Sequence, residues 1–164
     1  MQILHHRQIL QKIKRLAIEI LEHNYKEPEI ILAGINNNGM GFAQMLLEEL
    51  QQITNIPIKL TRIKLNPANP LSEPVTIELP VTELENKAVI VIDDVANTGR
   101  TLFYACKPIM EVLPKKLEVA VLIDRTHKSF PIKVDYMGLS LATTLKENIK
   151  VKIRDTEEYA VFMN

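Results

Sequence analysis

Apolar residues near the start of the chain fall at helical spacing. Ile9, Ile13, Leu16, Ala17, Ile20 and Leu21 recur three and four positions apart, which predicts an amphipathic helix over His5–Asn24. Glu29–Ala33 is a short apolar run stopped by Gly34, the pattern of a strand covered on both faces. Asn36-Asn37-Asn38-Gly39 reads as a turn. Phe42, Met45, Leu46, Leu50 and Ile53 then mark a second helix, and Ile58–Leu65 alternates as a strand does. Asn66–Pro74 holds three prolines and two asparagines and is expected to be a mobile loop. Val75–Leu79 predicts a short strand and Lys87–Ile92 a strongly apolar one. Asp93–Gly99 is expected as a loop and Arg100–Leu113 as a helix that Pro108 kinks or breaks. Leu117–Ile123, Lys133–Met137, Val151–Arg154 and Tyr159–Phe162 complete the strands. Strands that alternate with helices predict an α/β fold. Its central sheet should be mainly parallel, with helices on both faces, in a single domain over residues 1–164.

Composition changes this picture little. The chain of 164 residues is 46% hydrophobic and 24% charged, an ordinary globular balance. Trp is absent and aromatics are 5%, so the core must rest on Ile, Leu and Val. Twenty Lys and Arg match 20 Asp and Glu, which excludes a global basic field but leaves room for a local basic face. The single cysteine, Cys106, has no internal disulfide partner, and a reducing, cytoplasmic setting is expected. Met1–Arg7 lacks the layout of a signal peptide, and no apolar run is long enough to span a membrane.

The candidate chemistry follows the strand Ala88–Ile92. It ends in Asp93-Asp94, and Val95-Ala96-Asn97-Thr98-Gly99-Arg100-Thr101 leads into a helix. In an open α/β sheet ligands sit at the carboxyl ends of the strands. Free N–H groups at a helix start favour a phosphate, and Gly99 lets the backbone approach it. Thr98 and Thr101 add hydroxyl donors. Paired carboxylates accept hydrogen bonds from vicinal ribose hydroxyls and suit a hard cation such as Mg²⁺. The bland alternative is a solvated acidic turn with Thr98 as a cap. No Walker lysine follows Gly99, so an NTPase loop is excluded, and the G-x-G-x-x-G pattern is absent.

Val89–Thr101 resembles the phosphoribosyl-pyrophosphate (PRPP) motif of the type I phosphoribosyltransferases. Similarity also covers the first helix, Glu29–Gly34, Pro80–Val95 and, above all, Leu122–Gly138. Those segments resemble the subfamily of bifunctional pyrimidine-operon attenuators that are also uracil phosphoribosyltransferases. The resemblance implies that Asp93 and Asp94 hold the ribose hydroxyls and, with PRPP, a Mg²⁺ ion. It implies that Asn97, Thr98, Gly99, Arg100 and Thr101 wrap the 5′-phosphate. Gly34, Ile35, Asn36, Asn37, Asn38 and Gly39 would form the pyrophosphate loop. Asn66–Pro74 would close as a lid, with Arg62 and Lys64 supplying its charge. Asp124, Arg125 and the stretch Val134–Met137, including Val134 and Tyr136, would border the base. Lys12, Lys14 and Arg15, with His127 and Lys128, would face leader RNA.

This chain departs from the subfamily in two places. The usual Lys-Thr-Arg-Gly of the pyrophosphate loop is here Asn36-Asn37-Asn38-Gly39, without a cation. The usual Tyr-Arg-Asp-Asp of the lid is replaced by Lys64-Leu65-Asn66-Pro67-Ala68-Asn69-Pro70. Purine-salvage relatives carry an acidic proton acceptor at position 97, which Asn97 is not. The leading expectation is therefore a transferase making UMP and pyrophosphate from uracil and PRPP. Two others stay open: a catalytically weak, nucleotide-sensing RNA-binding regulator of pyrimidine genes, and a transferase for another base. The resemblance also implies a small hood formed by the terminal segments and a homo-oligomer, a dimer or larger. Three further readings are plain ones. His5 and His6 do not share a helical face and lack a third ligand, so they are expected as solvated surface. The basic side of the first helix is equally a solvated face. Cys106 is expected in the core.

Overall fold

A computed structural model describes residues 1–144 and 146–164. Six strands form the central sheet in the order β4-β3-β2-β5-β6-β7. They are β2 (Ile30–Ile35), β3 (Ile58–Lys64), β4 (Thr76–Ile77), β5 (Ala88–Ala96), β6 (Lys116–Arg125) and β7 (Tyr136–Leu141). All neighbours run parallel except the β3–β4 pair. A second sheet of three antiparallel strands, β1 (Gln2–His5), β9 (Ala160–Met163) and β8 (Ile149–Lys152), makes the hood.

The unbroken apolar strands are explained by cover on both sides. Ile30, Leu32, Ile90, Ile92, Ala120 and Leu122 face one layer, packed under α1 (His6–Asn24) and α2 (Asn36–Ile53). Their alternate neighbours Ile31, Ala33, Val89, Val91, Val119 and Val121 face the other, with Leu102 and Ala105 of α3 (Arg100–Ala105). The buried stripe of α1 is Ile9, Ile13, Leu16, Ala17 and Ile20, as its spacing predicts. Among the described residues no helix is long and apolar enough to cross a membrane.

Two late strands are shifted, β7 to Tyr136–Leu141 from the expected Lys133–Met137 and β8 to Ile149–Lys152 from the expected Val151–Arg154, and four other boundaries differ for a physical reason. Gln2–His5 is a strand, because β9 supplies its hydrogen bonds from the far end of the chain. β5 continues through Asp93-Asp94 to Ala96, because its ladder with β6 pairs main-chain groups whatever the side chains are. Asn36–Gly39 is no loop but the first turn of α2, entered through a left-handed Asn36 at φ 51°. Pro108 breaks the expected long helix: α3 stops at Ala105 and a 3₁₀ turn runs over Pro108–Glu111. His6 also departs from the solvated reading. Its ring stacks on Tyr159 at 4.7 Å, and its Nδ1 accepts the Tyr159 N–H at 3.0 Å, tying the hood to α1.

Candidate functional site

The site lies where β5 ends. Asp93 and Asp94 are the last polar pair on a strand whose preceding five residues are fully inside the sheet. Asp93 Oδ1 accepts the Asp94 N–H at 2.9 Å, and Asp94 Oδ1 accepts the Val95 N–H at 2.8 Å. Asp93 is 9% exposed. Burial, and then the neighbouring Asp94 charge, push its carboxyl well above the ordinary carboxylate range. Burial also raises Asp94. The Asp93 side chain, main-chain N–H groups and the charge of Arg154 hold that rise back.

After β5 the chain turns at Gly99, whose φ of 89° is left-handed and suits glycine. The turn is braced from outside, because the Thr98 carbonyl accepts N–H bonds from Ser129 and Phe130. The main-chain N–H groups of Thr98 and Gly99 have no intramolecular acceptor among the described residues. A small notch lined by Val95–Leu102 alone lies inside the loop, as a phosphate-holding segment requires. Arg100 turns away from it and donates to the carbonyls of Pro67 (2.7 Å) and Ala68 (3.4 Å), which ties the Asn66–Pro74 loop to this turn.

Opposite stands the first turn of α2. Between the two lies an open cleft of about 430 Å³, lined by Asp93, Asp94, Asn97, Thr101, the asparagines of that turn, Pro67 and Ile149. Gly34 and Gly39 let β2, β5 and α2 meet: a Cβ on Gly39 would stand 2.5 Å from the Ile92 carbonyl oxygen. Asn36 is structural. Its amide donates to the Leu65 carbonyl at 2.9 Å and accepts the Leu65 N–H at 3.1 Å, which clamps the ends of β2 and β3. Asn37 and Asn38 remain exposed at the cleft, while Ile35 is buried. The expected pyrophosphate loop is thus a helix start with two free amides.

The other expected residues scatter. Arg62 and Lys64 are not lid residues but part of β3. They line an adjoining cavity of about 770 Å³ with Asn36 and Asn37. Arg62 lies 3.8 Å from Glu78, and its Nε is buried without a hydrogen-bond acceptor. None of the four named base-side residues lines the cleft. Asp124 accepts Lys128 Nζ at 2.7 Å, and Arg125 reaches the cleft only through Asn97. Val134 packs in the layer with α3. Tyr136 is buried against α1, with its hydroxyl donating to Glu118 at 2.8 Å. Across β6 the residue Tyr136 stands level with Ile92, but its side chain packs in the layer under α1.

The basic face is partly committed as well. Arg15 donates to the carbonyls of Met137 and Gly138, and Lys128 is bound to Asp124 and to the Arg125 carbonyl. Lys14 is exposed, Lys12 and His127 partly so. Cys106 is in the core, its thiol pushed up to about 11 by burial, which rules out a reactive thiolate.

Pro67 falls in the expected lid segment, whereas Ile149 and Arg154 have no signal in theirs. Pro67 and Ile149 line the cleft from the loop and from the hood. Arg154, on the turn between β8 and β9, lies across α2, its Cδ 3.6 Å from where a Cβ on Gly41 would stand. It has no hydrogen-bond or ion-pair partner among the described residues, and its charge acts on Asp94.

A family model described as "Phosphoribosyl transferase domain" matches residues 1–156. The Bifunctional protein PyrR of Pediococcus pentosaceus is 32% identical over 160 residues, covering 92% of this chain and 90% of that protein. The protein of that name from Enterococcus faecalis is 34% identical over 152 residues, covering 88% and 85%. Among solved structures, a hypoxanthine-guanine phosphoribosyltransferase from Bacillus anthracis superposes with a TM-score of 0.71 at 20% identity, covering 85% of this chain and 81% of that one. A hypoxanthine phosphoribosyltransferase from Trypanosoma cruzi in complex with IMP gives a TM-score of 0.69 at 22% identity, covering 85% and 80%. At those identities the two structures speak for the fold.

Proposed function

The chain belongs to the phosphoribosyl transferase domain family, among the PyrR proteins, and from that premise we propose that it joins uracil to the ribose 5-phosphate of PRPP. The observation that carries the proposal is the Asp93-Asp94 pair, set at the end of the central strand between a phosphate-sized turn and the cleft. In the reaction the bond between ribose C1 and the pyrophosphate oxygen breaks, and its electron pair leaves with pyrophosphate. N1 of the base bonds to C1 and gives up its proton. Thr98–Thr101 would hold the 5′-phosphate and the two carboxylates the ribose hydroxyls, so the reacting carbon is fixed over the cleft.

The leaving group needs positive charge or strong donors. Asn37 and Asn38 give neutral donors only. Among the described residues Arg154 is the cation whose charge lowers the Asp94 carboxyl, and Arg62 and Lys64 lie in the adjoining cavity. Among the described residues no three metal-ligating side chains come together, so two carboxylates are all the chain offers a cation. That donor set suits a Mg²⁺ held jointly with substrate oxygens, which would neutralise pyrophosphate as it departs. A leader RNA as second partner would rest on Lys12, Lys14 and Arg15 of α1, since Lys128 is held by Asp124.

Incubation with uracil, PRPP and Mg²⁺ should produce UMP well above the uncatalysed rate, read by chromatography. Absence of UMP under these conditions would sink the transferase reading.

A further inference from the structure

Arg125 ends β6 with its guanidinium buried, the residue only 7% exposed, and its bonds are all directed inward. Nε donates to Thr143 Oγ1 at 2.7 Å, and Nη2 donates to the carbonyls of Thr144 (2.8 Å) and Glu147 (2.9 Å). Nη1 donates to Asn97 Oδ1 at 3.0 Å. A guanidinium has donors and no acceptor. The Asn97 amide therefore has one permitted orientation, because its flipped form would press NH₂ against N–H. With the oxygen held, Nδ2 is the polar group left over, and it has no partner among the described residues. Asn97 is exposed on the cleft wall, next in line after the ribose-holding carboxylates. Ile149, in the hood strand that follows the segment pinned by Arg125, lines the same cleft. An apolar side chain beside a donor fixed in one direction is a surface for a flat ring with an acceptor on its edge.

We propose that Arg125 is a positioning residue that locks Asn97 as a one-way donor, and that this donor selects the base. The ring it favours carries a carbonyl oxygen or a bare nitrogen beside the reacting nitrogen. A ring with an N–H at that edge meets donor against donor and is disfavoured. The inference rests on the transferase reading, in which it assigns the 2-oxo group of a pyrimidine to Asn97. Thr98–Thr101 then hold the phosphate without help from Asn97.

A binding cycle tests the pairing by calorimetry with ribose 5-phosphate, UMP and 2-thio-UMP, in which a weakly accepting sulfur replaces the 2-oxo group. The unmodified chain should bind UMP about fivefold tighter than 2-thio-UMP, the scale of one hydrogen bond. Asn97→Ala should bind the two alike and keep its affinity for ribose 5-phosphate. Arg125→Lys keeps the charge but loses the fork of donors, so it should lose the same discrimination. A merely structural Arg125 would weaken all three ligands together. If Asn97→Ala still discriminates as the unmodified chain does, the proposal is overturned. If the unmodified chain binds neither UMP nor ribose 5-phosphate, the transferase reading itself falls.

Discussion

A carboxylate taken out of water beside a second carboxylate prefers to keep its proton. Asp93 is in that position, with burial as the larger cause and Asp94 the next. Because its folded value is raised, its favourable contribution to stability is full below the ordinary aspartate pKa, near 4. That contribution is lost as pH rises through the raised folded value. Asp93→Asn removes the loss, so it should melt a few degrees higher than the unmodified chain at neutral pH and show no such gain near pH 4. At this chain length ~1 kcal/mol corresponds to roughly 2–4 °C. The same change should weaken UMP roughly 10- to 100-fold, the loss of a hydrogen bond to a charged group. Thermal scans at the two pH values, with and without UMP, check both signs. The acid pair and the glycine after it stand in one segment, and their chemistry was legible there. The role of Asn36 was not, because its amide answers to Leu65, a residue on another strand.

Elements were read well where burial sets a period and poorly where single close contacts decide. The stripe of α1 and the apolar strands follow from which positions face the core. The start of α2 does not. Three asparagines and a glycine are turn residues by local preference, yet the chain bends once at Asn36 and continues as helix. The helix is possible there because Gly39 lets it touch the Ile92 carbonyl oxygen. Gly39→Ala should therefore cost about 1–3 kcal/mol, the usual range for overpacking a tight contact. Urea unfolding measures it, and a loss below about 0.5 kcal/mol would mean that α2 has room to shift. The sequence predicts a kink or break at Pro108, and a break is what forms, since a 3₁₀ turn takes over where the missing N–H ends the helix.

At the scale of the molecule the hood joins the two ends of the chain and brings its charge to the middle. β1 pairs with β9, and the amino group of Met1 donates to the Met163 carbonyl at 2.8 Å. This closure lays Arg154 against α2 at Gly41, from where its charge acts on Asp94. Arg154→Gln should raise the KM for PRPP roughly 10- to 100-fold, the range for a lost charge-assisted contact. It should also move the pH dependence of UMP binding upward, because a charge that holds Asp94 down is gone. Steady-state kinetics and a pH series of binding read the two effects, and an unchanged KM would remove Arg154 from the site. By itself the sequence determined the layered α/β core and the glycine turn after the acid pair, since periodicity and contiguous motifs are local properties. The tertiary structure alone decided which cation acts on the acids, which residues wall the cleft and which way the Asn97 amide points. Those depend on contacts between residues tens of positions apart, and such contacts leave no period in the chain.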